Sequence, residues 1–137
     1  MSVEAGSGRV ELERVSSHAV WENIVGYCRA VKAGSLVFVT GTAPVDESGG
    51  GVFAPGDAEA QARRCLELIE QALAGFGLDR TRIARTRMFV TDISRWRDYG
   101  RAHAAFFGAD RPATSMVEVK ALIDPAMLIE IEADAIA

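Results

Sequence analysis

The stretch Arg111-Pro112-Ala113-Thr114-Ser115-Met116-Val117-Glu118-Val119, followed after a turn by Met127-Leu128-Ile129-Glu130-Ile131-Glu132-Ala133, decides the fold. Pro112 bars the continuation of any preceding helix, and both runs then read as strands. Each carries acidic residues inside an apolar frame. A carboxylate among apolar neighbours is either turned to solvent by alternation or held in a site, so function is sought here first.

Upstream of Pro112, residues 94–107 carry Trp96, Tyr99, His103 and Phe106 at steps of three or four, which predicts a helix with an aromatic stripe in the core. Residues 83–90 read as a strand ending at Asp92. Before it, Asp57 is a helix N-cap, and Ala62, Leu66, Ile69, Leu73 and Phe76 form an apolar face closed by Gly75 or Gly77. Arg63, Arg64, Glu67, Glu70 and Gln71 take the wet side. Residues 26–32 alternate, with Tyr27, Arg29 and Val31 on one face, and turn at Ala33-Gly34 into the nearly all-apolar run 35–40, a hairpin. A weak first strand lies near residues 10–13.

The resulting order, β-β-β-α-β-α-β-β, is an α+β fold: one mixed sheet with two helices on one face. Residues 1–9 are expected to be a flexible N-terminus and 10–137 a single domain. No third helix is available to cover the other face, so an oligomer that packs sheets together is expected.

Fifteen Lys and Arg against nineteen Asp and Glu give a net charge of −4, which speaks against a nucleic-acid footprint. No apolar run reaches the roughly 20 residues of a membrane span, and the N-terminus lacks a secretion-signal pattern. A soluble cytoplasmic protein with reduced thiols is expected, contacting neither nucleic acid nor membrane. Gly49-Gly50-Gly51 reads as an exposed turn, because no Lys-Ser/Thr pair or helix start follows at phosphate-cradle spacing. His18 and His103 have no second histidine or cysteine at ligand spacing, and Cys28 and Cys65 read as small core residues. Neither metal nor cofactor is expected.

Together, in this order and spacing, residues 36–41, the helix with its Gly77 exit, Phe89-Val90-Thr91-Asp92, Phe106-Phe107, Arg111-Pro112-Ala113, Val117-Glu118-Val119 and residues 129–133 resemble the Rid family. These are the reactive intermediate deaminases once described as perchloric-acid-soluble ribonucleases or translation inhibitors. The resemblance runs from about residue 26 to residue 137. It implies a chorismate-mutase-like fold, a homotrimer and three clefts at subunit interfaces. By residue it implies that Glu130 positions the hydrolytic water, that Tyr27 is the cleft tyrosine, and that Gly41 and Met116 line the cleft largely through backbone.

One departure stands out. Where the active deaminases read Pro-Ala-Arg-Ser, this chain reads Pro112-Ala113-Thr114-Ser115, so Thr114 replaces the substrate-binding arginine. A hydroxyl cannot make a charged two-pronged bond, and losing the pair weakens binding by a factor on the order of hundreds. Gly100 stands where a helix asparagine is often found. The chain thus resembles a divergent subgroup that lacks the substrate-binding arginine, and typical 2-aminoacrylate deaminase activity does not follow from the resemblance. Arg29 is the candidate for the missing positive charge, its alternative being a surface or interface salt bridge; Arg87 and Arg111 are weaker candidates. Glu118 reads as a structural partner, and Trp21-Glu22-Asn23 either covers the cleft or staples the terminus.

The leading expectation is a Rid-type hydrolase of a small enamine or imine, or a related unsaturated amino metabolite, with a carboxylate-bearing one as the partner that Arg29 would contact. A non-catalytic metabolite-binding or regulatory trimer is the alternative, and a ribonuclease or translation inhibitor the third.

Overall fold

A computed structural model describes residues 8–137. The expectation for residues 1–9 therefore lies, apart from Gly8 and Arg9, outside the described residues. The elements in chain order are β1 (Leu12–Val15), α1 (Val20–Val25), β2 (Ala30–Ala33), β3 (Leu36–Thr42), α2 (Ala58–Ala74), β4 (Ile83–Val90), α3 (Trp96–Phe107), β5 (Ala113–Glu118) and β6 (Ile129–Ile136).

Six strands form one sheet in the order β1-β2-β3-β6-β4-β5, with β4 and β5 parallel and the other pairs antiparallel. β6 is central because its alternation is strict: Ile129, Ile131, Ala133 and Ala135 are buried, while Glu130, Glu132 and Asp134 face the other way. The buried set packs with Val37 and Val39 of β3 under Leu66, Ile69 and Leu73 of α2 and Tyr99 and Phe106 of α3. Both long helices therefore cover one face, as the periodicity predicts. Asp57 caps α2, its side chain accepting from Ala60 N at 3.0 Å.

On the uncovered face, Arg87 pairs with Asp134 at 3.1 Å and Glu132 at 3.4 Å, which makes Arg87 structural. Leu36, Phe38 and Val117 remain about half exposed. Glu118 is also a structural partner, accepting from Ile93 N at 3.0 Å.

Two local expectations are corrected, and one stretch gains a helix. Trp96 is 48% exposed, not core: it opens α3 directly after a 3-10 turn and lies under the Arg97 guanidinium at 4.4 Å. The first hairpin strand begins at Ala30, so Tyr27 and Arg29 precede it. The stretch containing Trp21-Glu22-Asn23 forms α1, which is too short to be stable alone. It is held by buried Glu22, whose carboxylate accepts from Ser16 Oγ at 2.8 Å, Ser17 N at 3.1 Å and Ser17 Oγ. The segment before α1 thereby becomes a clasped strap. No described helix is long and apolar enough to cross a membrane.

Candidate functional site

The pairing of β3 with β6 slips between Val39 and Thr42, and Gly41 sits in that irregularity. Such a bulge re-aims backbone and side chains at a sheet's rim. Here it brings the Gly41 backbone against Glu130. A Cβ on Gly41 would lie 3.0 Å from Glu130 Cδ and closer still to Oε2, so glycine is what leaves room for the carboxylate.

This corner forms one wall of a cavity of about 990 Å³. Tyr27, Arg29, Gly41 and Glu130 line it together, joined by Arg64, Leu68 and Ala72 of α2, the strap residues Ser16, Ser17 and His18, and the loop from Val45 to Gly50. Four of the six site residues expected from sequence thus meet in one place. The strap, the loop and Arg64 were missed by sequence reasoning, because only long-range packing brings them here.

Arg29 is fixed by its backbone and its tip. Its N–H donates to Val15 O at 2.7 Å, and its carbonyl accepts from Thr40 N at 3.1 Å. Nη2 donates to Gly41 O at 2.8 Å and Thr40 O at 3.4 Å, whereas Nε is buried with no partner among the described residues. Burial lowers the Arg29 pKa, opposed by the fields of Tyr27, Glu22 and Glu130, yet a guanidinium stays charged in proteins. Arg29 is therefore a largely desolvated cation that makes none of the ion pairs found among the described residues. Within one chain Arg29 therefore forms no surface salt bridge among the described residues.

Burial pushes the Glu130 pKa up, Arg29 pulls it back and Glu132 adds to the rise. Burial likewise raises the Tyr27 phenol, keeping it a hydrogen-bond donor. Cys65 is fully buried with its thiol pKa pushed up, mainly by burial, and is no nucleophile. No cluster of metal-ligating side chains occurs among the described residues.

Thr114 and Met116 lie elsewhere, on edge strand β5, two strands beyond β6 and so about 10 Å away across the sheet. Thr86 Oγ1 donates to Thr114 Oγ1 at 2.7 Å and lies 2.8 Å from His103 Nε2. Met116 packs against the core. Within one chain the six residues fall into two groups, one at the cavity and one at the sheet edge.

With this geometry established, the chain's relatives are informative. A profile of the family described as endoribonuclease L-PSP matches residues 18–137. The chain belongs to that family. A solved Mycobacterium tuberculosis structure, from the YjgF/YER057c/UK114 family, superposes with a TM-score of 0.83 at 48% identity, covering 93% of this chain and 100% of that one. The 3-aminoacrylate deaminase RutC of Acinetobacter baylyi is 37% identical over 108 residues, 77% of this chain and 82% of its own. The 2-iminobutanoate/2-iminopropanoate deaminase of Salmonella typhimurium is 37% identical over 113 residues, 80% of this chain and 86% of its own. The family named at the sequence level and the α+β architecture are thereby shown, and two of the chain's relatives carry the names of deaminases.

Proposed function

We propose that the protein hydrolyses the C=N bond of a small imine or enamine bearing a carboxylate, with Arg29 holding the carboxylate and Glu130 handling the water. One observation carries the reading: a single cavity is lined by a buried guanidinium whose Nε has no partner among the described residues and by a carboxylate whose pKa is raised by burial. The deaminase names of two relatives support the reaction class.

In the proposed reaction an enamine first takes a proton on carbon from solvent and loses one from nitrogen, which leaves the imine. The imine nitrogen is protonated from solvent, and water adds to the iminium carbon as one of its protons passes to Glu130, which gives a neutral carbinolamine. Glu130 then returns that proton to the amino nitrogen, and the C–N bond breaks as the hydroxyl becomes the carbonyl and releases its proton to solvent, so that ammonia and a 2-oxo acid leave. A carboxyl group with a raised pKa suits both the taking and the giving of the proton. Arg29 orients the substrate, and the Tyr27 hydroxyl adds a neutral donor.

A homotrimer completes the reading. The half-exposed Leu36, Phe38 and Val117 need covering, and β5 presents an unpaired edge. A neighbouring copy that brings Thr114 and Met116 to the cavity would unite the two groups of site residues. The free cysteines suit a cytoplasmic setting.

The test is Glu130→Ala. It is expected to lower imine turnover by at least about 100-fold without changing the oligomeric mass, in line with the usual contribution of general acid–base groups. A fully active variant refutes the mechanism. Slow turnover of 2-aminoacrylate by the wild type is also expected from Thr114. Stabilisation by a carboxylic acid with no product from any imine would instead favour the metabolite-binding alternative.

A further inference from the structure

Resting on the proposal that Thr114 of a neighbouring copy meets the ligand, we infer that His103 is a positioning residue. Acting through Thr86, it holds the Thr114 hydroxyl as a hydrogen-bond donor turned outward from the sheet edge, so the ligand group received there is an acceptor.

Thr86 is the middle member of three polar side chains. It lies on β4 with β5 on one side and β6 on the other, in register with Thr114 and Ala133, and it is fully buried. Strands on both sides fix its backbone. Its hydroxyl has one proton and two neighbours, Thr114 Oγ1 at 2.7 Å and His103 Nε2 at 2.8 Å. Because that proton is donated to Thr114, Thr86 accepts from His103, and the imidazole carries its own proton on Nε2. Thr114 is exposed, and its proton goes to no other described residue. It is left to point outward.

The ring is held in place to do this. His103 projects from α3 with its centroid 4.6 Å from that of Phe107, the two planes inclined at 52°. Burial alone lowers its pKa, so the ring is neutral around neutral pH and only one of its nitrogens carries a proton. The hydrogen bond at Nε2 decides which. The reverse chain, with Thr114 donating to Thr86 and Thr86 to a bare Nε2, would need the proton on Nδ1. It would turn the Thr114 lone pairs outward and repel a ligand oxygen, whereas the observed order offers that oxygen a proton.

Two measurements test the inference. Long-range proton–nitrogen NMR of the imidazole rings at about pH 8, above the lowered His103 pKa, reads the tautomer directly. The chain has two histidines, and His18→Gln assigns their signals. A proton on Nε2 of His103 is expected. A proton on Nδ1 overturns the inference whatever the activity does.

Turnover is the second measurement. Imines made in situ by a D-amino-acid oxidase from D-alanine and D-leucine are trapped with semicarbazide, and enzymatic hydrolysis lowers the trapped amount. Thr114→Val removes the donor and is expected to lower kcat/KM about fivefold, the scale of one neutral hydrogen bond. Thr86→Val and His103→Phe only free the hydroxyl to turn, and each is expected to cost about threefold, with Thr86→Ser restoring most of it. The double variant Thr86→Val with Thr114→Val is expected to be no worse than Thr114→Val alone, because both act through the same hydroxyl.

Fully additive losses, or a Thr114→Val variant as active as wild type, would show a network that is merely structural and overturn the inference. Should Thr86→Val fail to fold, the tautomer and the exposed Thr114→Val still decide. A wild type that hydrolyses neither imine overturns the hydrolase reading and this inference with it. An active wild type with unresponsive variants overturns this inference alone.

Discussion

Gly41→Ala tests the contact on which the proposed chemistry depends. Gly41 is not among the residues with positive φ, so its backbone accepts alanine without strain. The three heavy atoms nearest the added Cβ all belong to the Glu130 side chain: it falls 3.0 Å from Cδ, 3.5 Å from Cγ and nearest to Oε2. Ordinary carbon contacts begin near 3.5 Å, so the carboxylate must retreat by about 1 Å. A displacement of that size at a reacting group costs about 100-fold in rate, or about 2.7 kcal/mol of transition-state stabilisation. The fold is expected to lose little. Moving a flexible side chain off its rotamer costs about 0.5–1.5 kcal/mol, and the loss of glycine's unfolded-state entropy returns about 0.4–1 kcal/mol. The assay pairs imine hydrolysis with denaturant unfolding on the same preparation. Activity within about threefold of wild type would refute the claim that the carboxylate acts from this position. A matching collapse of stability would show that Gly41 is structural instead.

Two further outcomes follow from groups around the site. Gln61 is fully buried in α2; its Nε2 donates to Ala126 O at 2.9 Å and Ala54 O at 3.3 Å, and its Oε1 accepts from Leu128 N at 2.8 Å. Gln61→Leu strands these backbone groups and is expected to lower unfolding free energy by about 2–4 kcal/mol in urea titration. For Glu22, burial is the largest influence and would raise the pKa, but hydrogen bonds from Ser17 and Ser16 outweigh it and leave the pKa lowered. The ionised form therefore stabilises the fold above the unfolded value of 4.5, and that contribution is lost as pH falls through the folded pKa. Glu22→Gln is expected to destabilise at about pH 7 and to converge on wild type in acid, as read by unfolding at several pH values; a pH-independent difference would rule out the clasp's charge as the cause.

What the sequence made legible was what repeats. The 3.6-residue period placed Leu66, Ile69 and Leu73 on the buried face of α2, and the period of two placed Ile129 and Ile131 inward with Glu130 outward. Periodicity failed where an element begins. Trp96 fits the α3 stripe by spacing, yet it opens the helix and points to solvent. α1 carries no periodic signal in its six residues and depends on the Glu22 clasp, a contact that composition does not announce. Arg29 was singled out because alternation aligned it with Tyr27 on a strand. The strand starts one residue later, and what fixes Arg29 is its own backbone bonds to Val15 and Thr40.

Thr114 is the harder case, because its environment in one chain explains the residue without reference to a ligand. Its hydroxyl closes a chain with buried Thr86 and half-buried His103, and burial lowers the His103 pKa. A threonine suits that neutral network, whereas an arginine there would bring a charge beside a ring already disfavoured as a cation. Arg29 lies at the other group of site residues, on the same chain as Glu130 and Gly41. On the proposed reading, the substrate's anchor and its water-handling carboxylate therefore share one rigid corner set by the β3 bulge. Their relative geometry then depends on the fold of a single subunit, while the subunit interface is left to enclose the ligand.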